Sequence, residues 1–173
     1  VQTKKSIGID IGGNDLLLAK QMASDFSRII VIDPVVEESK TDNIIPVKKF
    51  VEDVDLRSID PDVVLSRHTL EHLLDPNKLI SKLFDECKDD CLHIFEVPDF
   101  DCLVESLRFD AVFHQHLYYF NYATLKNLII RNGGLILGSE RDYRGSCGGS
   151  LYIAFKKRTY QNVEDLIPVS IQI

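Results

Sequence analysis

Apolar and polar positions alternate along this chain with two different periods, and the changes from one to the other mark out its elements. Ile7, Ile9 and Ile11 alternate with small or polar residues, the period of a strand, until Gly12-Gly13 interrupts them. The run Leu16–Met22 is helix-compatible, so the opening predicts strand, glycine turn, helix. Arg28–Asp33 is a continuous Ile/Val run that ends in an acid before Pro34, the pattern of a strand covered on both faces. Ile44–Val47 predicts a third strand, weakened by Pro46, and Pro61–Ser66 a fourth. Thr69 is placed to cap a helix with His72 at its third position, and a second helix over Asn77–Cys87 carries Leu79, Ile80, Leu83 and Phe84 at helical spacing. Cys91–Val97 predicts the fifth strand, and Thr124–Asn132 an amphipathic helix stopped by Gly133-Gly134. Leu135–Leu137 and Leu151–Phe155 complete a set of seven strands.

Strand and helix patterns alternate five times, which predicts an α/β fold: a Rossmann-like, doubly wound, mostly parallel seven-stranded sheet. Hairpin-like proximity of the last two strands predicts an antiparallel C-terminal edge strand. The expected organisation is one domain over residues 1–155, with an aromatic and histidine-rich substrate-side insertion at 99–122, and a charged tail at 156–173. The chain opens almost directly on a core strand, as expected of a domain cut from something longer.

Composition narrows the function classes. At 173 residues the chain can bury a sizeable core. Its net charge of −7 argues against a nucleic-acid partner and against an anionic membrane surface. No apolar run approaches the ~20 residues of a membrane span, and no basic-then-apolar leader is present. Cys87, Cys91, Cys102 and Cys147 form no C-x-x-C pair, so free thiols in a reducing, cytoplasmic setting are expected. An oligomer is possible but not indicated.

The candidate chemistry collects at predicted strand ends. A glycine turn after the first strand lets a ligand approach the backbone and points helix N–H groups at it. Asp33 lies 21 positions after Gly12 (33 minus 12), near the ~20 at which an acid reaches a ribose hydroxyl pair. Ser66-Arg67-His68 closes the fourth strand. Beyond the fifth, Phe100, Phe109, Phe113, Tyr118, Tyr119, Phe120 and Tyr122 surround His114-Gln115-His116, which suits a substrate pocket with a histidine acid/base. A zinc pair at His114 and His116 lacks an evident third ligand, so no metal is expected.

These residues together resemble a known family, the class I S-adenosylmethionine-dependent methyltransferases. The finer resemblance is to the sugar C-methyltransferase-like branch, which acts on nucleotide-linked deoxysugar ketones. Four stretches carry it: Asp10–Asp15; Arg67–Pro76; Glu96–Asp99 with Phe109-Asp110 and His114–Phe120; and Gly145–Leu151 with its Gly-Gly-Ser. The resemblance implies S-adenosylmethionine as cofactor, S-adenosylhomocysteine as product, and a small-molecule acceptor methylated at carbon or oxygen. It implies that Asp10, Gly12, Gly13, Asn14 and Asp15 line the methionine and ribose of the cofactor, that Asp33 takes the ribose hydroxyls, and that Arg67 and His68 flank it. His116, with His114 beside it, is implied as the acid/base, and Phe113, Gln115, Tyr118 and Gly149 as the substrate side.

The sequence departs from the family pattern at three points. Leu16 stands where a glycine usually follows the Asn-Asp pair, and Phe113 and Gln115 stand where tyrosine and glutamate are common. Two other readings follow from these features: a catalytically silent S-adenosylmethionine-binding partner subunit, and an NAD-dependent oxidoreductase sharing Gly12 and Asp33. The unfilled third glycine of G-x-G-x-x-G counts against the second.

Overall fold

The computed structural model describes residues 6–108, 110, 112–143 and 148–159. Seven strands, β1 Ser6–Ile11, β2 Phe26–Ile32, β3 Ile44–Val47, β4 Val63–Arg67, β5 Leu92–Pro98, β6 Gly134–Asp142 and β7 Ser150–Lys157, form one sheet in the order β3-β2-β1-β4-β5-β7-β6. The first five run parallel, and β7 lies antiparallel between β5 and β6. The expected α/β architecture is therefore present, with its antiparallel strand one place in from the edge. The strand order reverses between β1 and β4, and a crevice outside the carboxyl ends of strands at such a point is where open α/β sheets take ligands.

Helices α1 Leu17–Met22, α2 Pro76–Glu86, α3 Phe100–Glu105 and α4 Tyr122–Arg131 connect the strands. Leu79, Ile80, Leu83 and Phe84 of α2 pack with Leu125 and Ile129 of α4 against Ile9, Val64, Phe95 and Phe155, the main core. A smaller core on the other face gathers Leu16, Ala19, Phe26, Ile29, Val31 and Ile44. Asp75 accepts from Asn77 N–H ahead of Pro76, and Asn121 with Thr124 forms a reciprocal cap, so both longer helices start where their polar residues can satisfy the first amides. Pro46 is tolerated because β3 is an edge strand.

Some expectations are corrected. Thr69 caps no helix: its hydroxyl donates to the Ile11 and Arg67 carbonyls, and Leu70–His72 is a single 3-10 turn. The sixth strand is nine residues long rather than three, because polar Ser139–Asp142 find ladder partners on β7 across a bulge at Ile136/Gly138. The described residues of the segment 99–122 form a short helix, Phe100–Glu105, and an irregular return, pinched where Asp99 pairs with Phe120. Phe109, Gly145–Cys147 and most of the 156–173 tail lie outside the described residues. No helix among the described residues is long and apolar enough to cross a membrane.

Candidate functional site

The glycine turn after β1 is shaped by what surrounds it. A Cβ on Gly12 would fall 2.0 Å from the Thr69 hydroxyl at a φ of +79°, and one on Gly13 would fall 2.4 Å from the Val31 side chain. Asn14 and Leu16 also adopt positive φ, at 22° and 62°, so the turn carries strained backbone at two side-chain-bearing residues. The expectation that α1 presents free N–H groups is corrected. The helix is six residues long, and Asp15 accepts from the Leu17 N–H at 3.0 Å.

Asp10, at the end of β1, is buried with one carboxylate oxygen lacking any hydrogen bond. Burial pushes its pKa up to about 6, against the opposing pull of Arg67. With Gly12, Gly13, Asp15, Arg67 and His68 it lines a cavity of about 190 Å³. A neighbouring cavity of about 370 Å³ is bounded by Gly12, Asn14, Asp33, Phe50, Glu52 and His72, among others. Asp33 is buried there and accepts from Val35 N–H at 2.8 Å, so it holds its own turn as well as facing the cavity.

Past β4, charge is arranged around two buried acids. Glu96 on β5 takes Arg67 Nε at 2.6 Å, His68 Nε2 at 3.2 Å and the Tyr152 hydroxyl at 2.9 Å. Burial alone would raise its carboxyl, but hydrogen bonds from His68, Ser150, Arg67 and Tyr152 hold it down at about 2. His68 Nδ1 lies 3.5 Å from Glu71 Oε1, an ion-pair contact. Glu71 and then Glu96 raise His68 to about 9 against its burial. Glu71 is 1% exposed, and neither of its oxygens receives a hydrogen bond.

The acceptor-side residues meet this cluster unevenly. His116 is buried, its ring 4.1 Å from Phe113 and 4.9 Å from His72 between centroids. His72 Nδ1 lies 2.8 Å from the Gln115 carbonyl, and the Leu117 and Tyr118 amides donate to the Glu71 carbonyl. Tyr118 reaches the Leu74 carbonyl through its hydroxyl. His114 is exposed and joins none of these contacts. Gly149 serves close packing: a Cβ there would sit 3.0 Å from that of Cys102, and its carbonyl accepts from Asp99 N–H. Among the described residues Glu71, His72 and His116 bring metal-ligating atoms within 4.8 Å of one another, a group that takes only His116 from the His-x-His pair.

Sequence reasoning did not assign Glu71, His72, Glu96 or the Phe50–Glu52 cavity wall to the site. Glu96 carries a readable signal, an acid within an apolar strand two positions before Pro98; the others depend on tertiary placement.

The chain matches the methyltransferase domain family over residues 2–135. No curated protein matches it in sequence. Among solved structures, it superposes on a chain of the complex between the Haloferax volcanii Trm112 methyltransferase activator and a methyltransferase, with a TM-score of 0.73, 13% identity, and coverage of 90% of this chain and 84% of that one. The 1,6-didemethyltoxoflavin-N1-methyltransferase of Burkholderia thailandensis, solved with 1,6-didemethyltoxoflavin and S-adenosylhomocysteine, gives 0.71 at 15% identity, covering 90% and 72%. An S-adenosylmethionine-dependent methyltransferase from Mesorhizobium loti gives 0.66 at 11% identity, covering 90% and 93%.

Proposed function

The chain belongs to the methyltransferase domain family, and from that premise we propose that it transfers a methyl group from S-adenosylmethionine to a small-molecule acceptor. The observation that carries this reading is the position of His72. It lines the 370 Å³ cavity and lies against His116, so a donor cavity and a histidine-bearing acceptor face meet at one ring. In this reading residues 1–155 act as one methyltransferase domain. Asp33 takes the ribose hydroxyls, and Asp10, Gly12, Gly13, Asn14 and Asp15 surround the ribose and methionine. Arg67 and His68 flank the donor, while Phe113, Gln115, Tyr118 and Gly149 belong to the acceptor side.

Methyl transfer from a sulfonium is an in-line displacement. The acceptor's electron pair forms the new bond to the methyl carbon, the C–S bond breaks, and its electrons neutralise the sulfur to give S-adenosylhomocysteine. The site aligns donor and acceptor away from water, and a base removes the acceptor's proton. His116 is that base, and the exposed His114 passes the proton toward solvent. The acceptor is read as a nucleotide-linked sugar or related metabolite methylated at carbon or oxygen, supported by the Glu96–Asp99 and His114–Phe120 motifs. Buried free thiols at Cys87, Cys91 and Cys102 fit a reducing, cytoplasmic setting. Replacing His116 with alanine is expected to lower turnover ~10²–10⁴-fold with S-adenosylhomocysteine binding retained. Unchanged turnover would sink the base assignment.

A further inference from the structure

We propose that Glu71, His72 and His116 form a binding site for one divalent cation of the zinc type, and that filling it removes His116 as a base. Their donor atoms lie within 4.8 Å of one another. The orientation of His72 is informative. A carbonyl oxygen only accepts, so the 2.8 Å contact to Gln115 places the proton on Nδ1. In the neutral ring Nε2 then carries the lone pair, and it faces Glu71 Oε1 at 4.0 Å. Two electron-rich atoms at that separation make no hydrogen bond. A cation with bonds of ~2.0–2.2 Å to nitrogen and oxygen bridges them after a small inward movement.

Glu71 supplies the second, independent observation. Its carboxylate is almost wholly buried and receives no hydrogen bond, an expensive state for an ionised group. Its charged neighbour His68 stands 3.5 Å from Oε1, outside hydrogen-bond geometry, and a coordinated cation would give the carboxylate the short partner it lacks. The Gln115 carbonyl that holds His72 is the kind of outer partner that fixes a metal-bound imidazole. Two imidazoles and one carboxylate suit zinc and its transition-metal neighbours, whereas magnesium and calcium favour all-oxygen sets. Three protein ligands also leave a coordination position open. A neutral imidazole has one nitrogen lone pair, so His116 cannot both ligate the ion and accept the acceptor's proton. That consequence rests on the base reading above; the binding site itself does not.

The test uses the full chain, stripped with chelator and titrated with Co²⁺ or Zn²⁺ alone. One equivalent of Co²⁺ is expected to give visible absorption without the near-ultraviolet thiolate band that cysteine ligation would add. Glu71→Gln and His72→Asn should each weaken binding by at least ~100-fold. Unfolding midpoints measured in chelator report whether each variant is folded, and half-exposed His72 makes its variant the safer of the two. In nitrogen-15-labelled protein, Zn²⁺ should shift the ring nitrogens of His72 and His116 and leave those of His114 in place. Absence of binding, a thiolate band, or unchanged affinity in His72→Asn would overturn the site. An unmoved His116 ring would overturn its part in it. If His116→Ala leaves turnover intact but binds no metal, the base reading fails and the metal site stands.

Discussion

Leu16 offers a direct measurement of strain in the glycine turn after β1. It sits at φ 62° and ψ 14°, in the left-handed region, and its side chain is fully buried in the smaller core. Leu16→Ala keeps the Cβ, and with it the strain, but deletes the buried isopropyl group; a loss of about 2–5 kcal/mol is expected. Leu16→Gly enlarges that cavity by one further methyl, a cost of about 0.8 kcal/mol, but relieves the conformation, worth about 1–2 kcal/mol for an L-residue. Against that stands about 0.5–1 kcal/mol from the greater freedom of a glycine in the unfolded chain. The glycine variant should therefore lie between about 0.8 kcal/mol less and about 0.7 kcal/mol more stable than the alanine variant. At an ordinary helical position with a buried Cβ no strain is relieved, and glycine lies about 1.5 kcal/mol below alanine. Urea unfolding of the three proteins, followed by circular dichroism with slopes compared, reads the difference. A glycine variant about 1.5 kcal/mol or more less stable than the alanine variant would refute the strain argument.

Two further predictions concern pH, both measured with chelator present. Asp10 has its folded pKa raised from 3.8 to about 6, so the associated stability is present below 3.8 and is lost as pH rises through 6. Asp10→Asn should raise stability near neutral pH by about 1–3 kcal/mol and change it little near pH 4, while weakening S-adenosylmethionine binding. An equal gain at both pH values would exclude the buried charge as its source. His68 is raised from 6.5 to about 9, so its contribution is complete below 6.5 and is lost as pH climbs through 9. The unfolding midpoint should fall over that interval in the native chain and fall less in His68→Gln; parallel curves would show that His68 does not couple to folding.

Much of the fold is legible in the sequence because it rests on local period and punctuation. Continuous Ile/Val runs at β2 and β4, the helical stripe of α2, and the Gly133-Gly134 stop all sit close to where the pattern places them. Misreadings arise where a residue's partner is distant in sequence. Thr69 has the chemistry of a cap, but its hydroxyl is taken by carbonyls of β1 and β4. Ser139–Asp142 look like loop until β7 supplies their ladder. The acids and glycines that line the two cavities could be read because a turn, its neighbours and a spacing of ~20 lie within one unit. The histidine cluster could not, since His116 stands 45 positions after Glu71 (116 minus 71) and only the fold brings them together.

The Glu71 peptide carbonyl receives two amides from the acceptor segment, Leu117 at 2.8 Å and Tyr118 at 3.2 Å. Two residues before Glu71 stands Thr69, whose hydroxyl rests on the Ile11 carbonyl beside the glycine turn. The segment that carries His116 is thus suspended from the same short turn that buttresses the glycine turn after β1. Under the proposed assignment the consequence is one of sequence in time. A donor settling on Gly12 presses on Thr69 and so sets the peptide from which the acceptor wall hangs. An acceptor that arrives alone meets a wall without that support, so the two substrates add in order, methyl donor first.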